Sequence, residues 1–465
     1  MKRLLRTLSL ADLTVLASSS MAPAYSIATV MGLVVAAAGL GAPLALVVST
    51  IPIAFIAAGF LRLSARLPSA GGVYTWSRAA FGNRVGWFSA VLIIIAYYFG
   101  TIATAVPAGT YSVVFVAPQF AQAPPPMLVA IVGILWIAFS TYFLIIGARP
   151  TAMLSAFFVG FELLALLVIA ALAFLRPFAG TAPPHPMPFG FGIGRSGADG
   201  LIVGAVLSIW ITAGWEISTY SSEESTKGLA TPGTGAIIGL LGTTLIVVVC
   251  MIGFLRVGTV DGFAQHQSDA LSYVAQRLGG GWITWLMTAT VLVSTAASLW
   301  TTMFTVARAV FAMGRDGLLP RALGSVHPKY GSPWIAILVV SVPIAAVMLI
   351  AGAMESVQKT LLDVVAASSI FLGETFIICG LACAWLYLRE RRPEVRRPLT
   401  GIALPLLGAL GTLALLIYSV LTQQPQIVQI FSAVGVIVAV AFAATAGRWS
   451  PAQPVTLLPQ EEALP

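Results

Sequence analysis

Charge is what this 465-residue sequence has least of: 9% of its residues are Asp, Glu, Lys or Arg, against 58% hydrophobic. A soluble body of this length needs more polar surface than that, so the composition excludes a soluble enzyme or binding module and indicates an integral membrane protein. Histidine is scarce too. His185, His266 and His327 all fall in connections between apolar runs, which leaves no intramembrane histidine for a metal site or a proton relay. The three cysteines, Cys250, Cys379 and Cys383, lie in apolar runs. Cys379 and Cys383 share a helical face at i, i+4, a spacing that suits packing better than a disulfide or a metal pair. Without a metal cluster, or a nucleophile beside a base, the sequence offers no intramembrane enzyme site.

What is present is apolar sequence in long runs. Runs able to cross a bilayer fall at 11–36, 42–63, 85–115, 127–148, 151–175, 200–222, 234–256, 282–312, 334–352, 362–388, 401–421 and 427–447, which predicts an all-α integral membrane protein with 12 transmembrane helices. Of the 24 Lys and Arg residues, only Arg176, Arg195, Arg256, Arg277 and Lys359 fall on one set of alternate connections. The other set faces the cytoplasm by the positive-inside rule, so both termini of a multi-pass cell-membrane protein are expected there. The net charge of +8 is therefore a topology signal and gives no reason to expect nucleic acid as a partner; the expected partners are the lipid bilayer and a small molecule. The opening MKRLLR has the charge of a secretory signal, but Asp12 interrupts its apolar region and apolar sequence continues through Val35, which predicts a retained helix.

Two of the runs are interrupted. In SSSMAPA, 18–24, Pro23 has no N–H for the carbonyl of Ser19 and pushes Ala22 away from helical angles. In ITAGWE, 211–216, a second break falls roughly 190 residues later. In hydrocarbon a freed backbone group costs several kcal/mol, so each break predicts a cavity where protein, water or ligand supplies partners. No Lys or Arg lies deep in a span, so the expected donors to a substrate carboxylate are the amides of Ala24, Tyr25 and Ser26, where the first helix restarts. The expected acceptors for an ammonium group are carbonyls at Ser18, Ser19, Ser20 and Met21, and at Ile211, Thr212, Ala213 and Gly214. Ala22 sits between these donors and acceptors, and the serine hydroxyls are further candidates.

Four motifs in order resemble one family. They are PSAGGVYTW after the second span, WITAGWEISTYSSEESTKG at 210–228, RAVFAMGRDGLLPRALGSVHPKYGSPW at 308–334 and LRERRPEVRRPL at 388–399. The chain resembles the amino acid-polyamine-organocation superfamily of permeases across almost its whole length. That resemblance implies a leucine-transporter-type fold with a 5+5 inverted repeat and broken helices one and six. The implied organisation is a first repeat in 1–175, an external loop in 176–199, a second repeat in 200–388, two further helices in 389–448 and a disordered cytoplasmic tail in 449–465. It also implies that substrate binds at the two breaks, that Trp210 is an occluding aromatic, and that Ser294, Thr295 and Ser298 stand where related transporters hold a cation.

Three acids, Glu162, Glu216 and Glu374, fall deep in spans, where an ionisable group must be paired, hydrated or protonated. Glu216 follows the second break and matches the acidic position of the family motif, so it is the leading candidate for proton coupling, with Glu162 its rival. Tyr97, Tyr98, Trp215 and Trp300 are aromatic candidates for the same cavity, and Asp269 is placed to cap a short external amphipathic helix bearing Leu271, Val274, Ala275 and Leu278. The resulting expectation is a secondary permease for amino acids or related amines, working by alternating access, with a proton preferred over sodium as the coupling ion and no cofactor. The alternatives are an exchanger, or a membrane-bound sensor, which the short connections disfavour.

Overall fold

The computed structural model describes residues 4–121, 123–176, 197–267, 269–353, 357–392, 395–422 and 426–449. Among them there is no strand, and the only β-type pairing is an isolated bridge between Leu8 and Ser225. The helices are α1 (Leu10–Met21), α2 (Pro23–Ala38), α3 (Ala42–Arg66), α4 (Val73–Phe81), α5 (Asn83–Val116), α6 (Pro126–Ile146), α7 (Ala148–Leu175), α8 (Gly197–Ser208) and α9 (Ile217–Tyr220). They continue with α10 (Thr231–Val257), α11 (Val260–Gln265), α12 (Ala270–Leu278), α13 (Trp282–Arg315), α14 (Trp334–Gly352), α15 (Val357–Leu388), α16 (Leu404–Thr422) and α17 (Gln426–Trp449). Among the described residues ten stretches are long and apolar enough to cross a bilayer. One of them, Leu10–Arg66, contains α1, α2 and α3 in succession.

The first interruption is sharper than the sequence suggests. Asp12, the acid that breaks the signal-like run, forms a capping box with Ser9: the Asp12 amide donates to Ser9 Oγ at 3.3 Å and the Ser9 amide to Asp12 Oδ2 at 2.8 Å. Helix α1 then runs unbroken to Met21, so the expected seven-residue break is a single residue. Ala22 adopts φ 47°, ψ 62° and is the only non-glycine with positive φ among the described residues. A left-handed alanine costs roughly 1–2 kcal/mol; Pro23 at the first position of α2 disfavours right-handed helical angles at Ala22, and the surrounding packing holds the left-handed alternative. The second break is longer: α8 ends at Ser208, α9 begins at Ile217, and 209–216 form turns between them.

Packing brings the two breaks together. Helix α1 lies against α7, α10 and α13, α2 lies against α8, α11 and α12, and α5 packs against α6, α13, α15 and α17. Small residues allow close helix approach: a Cβ at Gly109 of α5 would strike the Val129 carbonyl of α6. Gly214 closes the central contact. Its φ is +103°, and a side chain there would fall 2.7 Å from the Ser20 carbonyl oxygen, so the second break rests on the first.

Most of the expected spans recur within a few residues, whereas the one expected at 200–222 is the 12-residue α8 and the four-residue α9 on either side of the break. Helix α8 starts at Gly197, inside the stretch expected to be external loop up to 199, and the rest of that loop from 177 to 196 lies outside the described residues, as does the expected tail beyond Trp449. Helix α12 forms as expected with Asp269 at its N-cap position and Leu271, Val274, Ala275 and Leu278 buried, although the Asp269 side chain makes no capping hydrogen bond.

Candidate functional site

A cavity opens where the two breaks meet. It is lined from α1 and α2 by Ser20, Met21, Ala22, Tyr25 and Ser26, and from the second break by Trp210, Ala213 and Gly214. Helix α5 adds Ala96, Tyr97, Gly100 and Thr104, α13 adds Ser298 and Thr302, and α15 adds Leu372. No charged side chain lines it. Eight of the thirteen residues expected from the sequence thus face one space. Ser18, Ser19, Ala24, Ile211 and Thr212 are buried without lining it. Sequence reasoning missed the small residues Ala96 and Gly100, the hydroxyls Thr104 and Thr302, and Leu372, because nothing in one helix read alone marks which face meets a gap in another.

At the first break the amides have partners within the protein. The Ala24 amide donates to Glu162 Oε1 of α7 at 2.7 Å, the Tyr25 amide to Ser294 Oγ of α13 at 3.1 Å, and the Ser26 amide to the Ala22 carbonyl at 2.8 Å. All three expected donors are therefore occupied by the protein itself. The carbonyls are partly occupied as well: Ser20 accepts from Ser298 Oγ at 3.2 Å and Met21 from Ser26 Oγ at 2.9 Å. A carbonyl has two lone pairs and keeps room for a ligand. What stands free is hydroxyl. Ser20 Oγ is buried, lines the cavity and has no hydrogen-bond partner, and Ser19 Oγ beside it is also unpartnered.

The two acids hold the breaks from opposite sides. Glu162, fully buried, uses Oε1 on the Ala24 amide, while its Oε2 has no partner. Glu216 has both oxygens engaged, one by the Tyr97 hydroxyl and one by the Gly214 amide at 3.1 Å. Glu216 thus ties the cavity wall on α5 to the turn of the second break. Glu374 lies on α15 with Oε2 unpartnered and lines no part of the cavity. Of the aromatic candidates, Tyr97 and Trp210 line the cavity. Tyr98 donates to the Val339 carbonyl at 2.9 Å, Trp215 packs on Phe60 and Phe376, and Trp300 donates to Ser155 Oγ at 2.8 Å, all outside the cavity lining. Among the described residues no cluster of three His, Cys, Asp or Glu side chains is placed to hold a metal ion.

At one end of the bundle the four sequence motifs converge on a seal. Arg308 grips Glu224 with Nε and Nη2, each 3.1 Å from a carboxylate oxygen, and Arg315 grips Glu223 at 2.7 and 2.9 Å. Glu223 also accepts from the Ala70 amide at 2.8 Å, and Ser222 Oγ from the Ser69 amide at 2.8 Å, which pins the PSAGG turn. The N-terminal segment joins in: the Thr7 and Leu8 amides both donate to the Glu224 carbonyl at 2.9 Å. Arg78 pairs with Asp316 at 3.2 Å, and Arg66 pairs with Glu390 from the fourth motif.

Similar proteins carry the same description across most of their length. The Branched-chain amino acid permease BcaP of Bacillus subtilis (strain 168) is 24% identical over 437 residues, which cover 89% of this chain and 87% of that protein. The Asc-type amino acid transporter 1 of Homo sapiens is 25% identical over 370 residues, 78% of this chain and 68% of that protein. Residues 8–446 match the family described as Amino acid permease, and the chain belongs to that family, a multi-pass membrane protein of the amino acid-polyamine-organocation superfamily.

Proposed function

We propose that the protein is a secondary active transporter that moves amino acids or related amines across the cell membrane by alternating access, coupled to protons. The observation that carries this reading is the cavity at the meeting of two helix interruptions, with the unpartnered Ser20 hydroxyl facing it and an ion-paired seal closing one end of the bundle. In this reading the breaks occupy corresponding places in two inverted halves, 1–175 and 200–388, joined by the loop 176–199 and followed by two further helices in 389–448, twelve spans in all. The charged end faces the cytoplasm by the positive-inside rule, and so do both termini. Relatives named as amino acid permeases and transporters support the cargo class.

The coupling proton belongs on Glu162 ahead of Glu216. Glu162 grips the amide at the start of α2 and keeps one oxygen without a partner, whereas Glu216 has both oxygens occupied. A proton arriving at Glu162 weakens its hold on α2, because an amide bonds a carboxylate more strongly than a carboxylic acid. Reconstituted uptake with and without an imposed pH gradient tests this. Glu162→Gln is expected to exchange substrate yet lose stimulation by the gradient, while Glu216→Gln keeps that stimulation with weaker substrate binding. Undiminished proton-driven accumulation by Glu162→Gln would exclude this role. Uptake that responds to internal substrate and never to a pH gradient would identify an exchanger instead, and unchanged uptake on replacing sodium with choline is expected in either case.

A further inference from the structure

Helix α5 presents Ala96, Gly100 and Thr104 to the cavity at successive turns, and Gly100 is unlike the other glycines of the bundle. Buried glycines here sit against a neighbour: Gly204 against Ala38, Gly235 against Leu13, Gly239 against Ala17. Gly100 is buried too, yet a Cβ built on it meets no atom within 4 Å. Of the buried glycines whose surroundings are described it alone faces empty space, and that space is the cavity. Glycine in a helix interior costs about 1 kcal/mol relative to alanine, and here no helix–helix contact accounts for it.

The lining around that gap has a chemistry. Ala96, Ala213, Leu372 and Trp210 give apolar walls; the hydroxyls of Ser20, Ser26 and Ser298 lie at the first break and on α13, and those of Tyr97, Thr104 and Thr302 are already donated to Glu216 and to carbonyls of their own helices. A charged side chain placed in this cavity would lose its water and find no countercharge among the lining residues. We infer that the cargo's side chain is uncharged and apolar, that it lies in the gap beside Gly100, and that the missing Cβ at Gly100 sets the largest side chain accepted. This rests on the proposed transport of amino acids and adds which of them fit.

The test is binding of alanine, valine, leucine, phenylalanine, lysine and glutamate to purified protein, measured as thermal stabilisation against concentration, for the unchanged chain, Gly100→Ala and Gly100→Val. The unchanged protein is expected to bind neutral apolar amino acids and neither lysine nor glutamate. Gly100→Ala should fold as well as the original or better, since alanine suits the helix and strikes nothing. Its binding of leucine should fall on the order of 10-fold or more, the scale at which a pocket resolves one methylene, while binding of alanine stays within about twofold. Gly100→Val should extend the loss to valine. Gly160→Ala, on the lipid-exposed side of α7 with equally open space, should leave the profile unchanged. If leucine and alanine fall together in Gly100→Ala, or neither falls, the size assignment is overturned while amino acid transport stands. Preferred binding of lysine or glutamate by the unchanged protein overturns the neutral-cargo assignment, and binding of no amino acid overturns both this inference and the reading beneath it.

Discussion

Replacing Arg308 by methionine is expected to open the charged end of the bundle. The Arg308 side chain is 0% exposed and that of Glu224 3%, and the two are joined by a pair of hydrogen bonds of 3.1 Å. Removing the guanidinium strands a buried carboxylate, which costs about 3–5 kcal/mol in comparable sites. The neighbouring pair is less deeply buried: Arg315 and Glu223 are 27% and 19% exposed, so stranding one partner there costs less than at Arg308 and Glu224. Because Glu224 follows the second break and Arg308 sits on α13, a motion that separates these elements breaks the pair, so the whole cost falls on the closed arrangement. At 1.4 kcal/mol per tenfold, the closed-to-open ratio should fall by about 100-fold or more. A cysteine at Thr302, in a background where Cys250, Cys379 and Cys383 are replaced, reports this through its labelling rate by an impermeant maleimide applied at the charged side of oriented vesicles. Labelling should accelerate strongly in Arg308→Met and only slightly in Arg315→Met. It should slow again in the double variant Arg308→Met, Glu224→Met, because an apolar pair of similar volume often replaces a buried ion pair without loss. Labelling that stays slow in a folded Arg308→Met protein, or stays fast in the double variant, refutes the seal.

Gly214→Ala should lower thermal stability by about 2 kcal/mol or more, since the residue would be forced to hold φ +103° with its Cβ 2.7 Å from the Ser20 carbonyl; equal stability of this variant and Gly160→Ala would show that the breaks do not touch. At the same charged end, hydrogen bonds from Arg392, with the nearby Arg66 charge adding to them, hold Glu390 down to about 2. A depressed carboxylate stabilises the fold above its unfolded range near pH 4 and loses that contribution as pH falls through the folded value. The difference in melting temperature between the unchanged protein and Glu390→Gln should therefore be constant across neutral pH and shrink toward pH 2, and a difference that grows on acidification would contradict the assignment.

The backbone logic of the fold could be read from local sequence. Pro23 marked the first interruption and the ITAGWE stretch the second, because each acts through its immediate neighbours. Most helix lengths followed from the apolar runs to within a few residues for the same reason. Even so, the width of the first break was misjudged: Ser18, Ser19 and Ser20 stay helical because one left-handed residue, Ala22, takes up the whole change of direction. The motifs RDG, EES and PSAGG were visible one by one, while their union at the seal depends on ion pairs such as Arg308–Glu224 and Arg315–Glu223, between residues 84 and 92 positions apart, which no local pattern encodes.

The role of Glu162 shows most clearly what lay beyond local reading. From sequence, the start of α2 looked like an open anion site, the kind of exposed helix N-terminus that binds carboxylates. In the fold a carboxylate 138 residues away already occupies it. Local sequence marked the amide as an anion donor but not this partner, because packing α7 against α1 and α13 brings an internal carboxylate to it. The consequence reaches function. Under the proposed function, a cargo carboxylate that displaces Glu162 from Ala24 competes with it for one donor, whereas a carboxylate held by the hydroxyl of Ser20 does not. Under that competition, whatever loosens Glu162, including a proton, favours cargo, and cargo in turn favours release of Glu162, since coupling of two equilibria at one site is reciprocal.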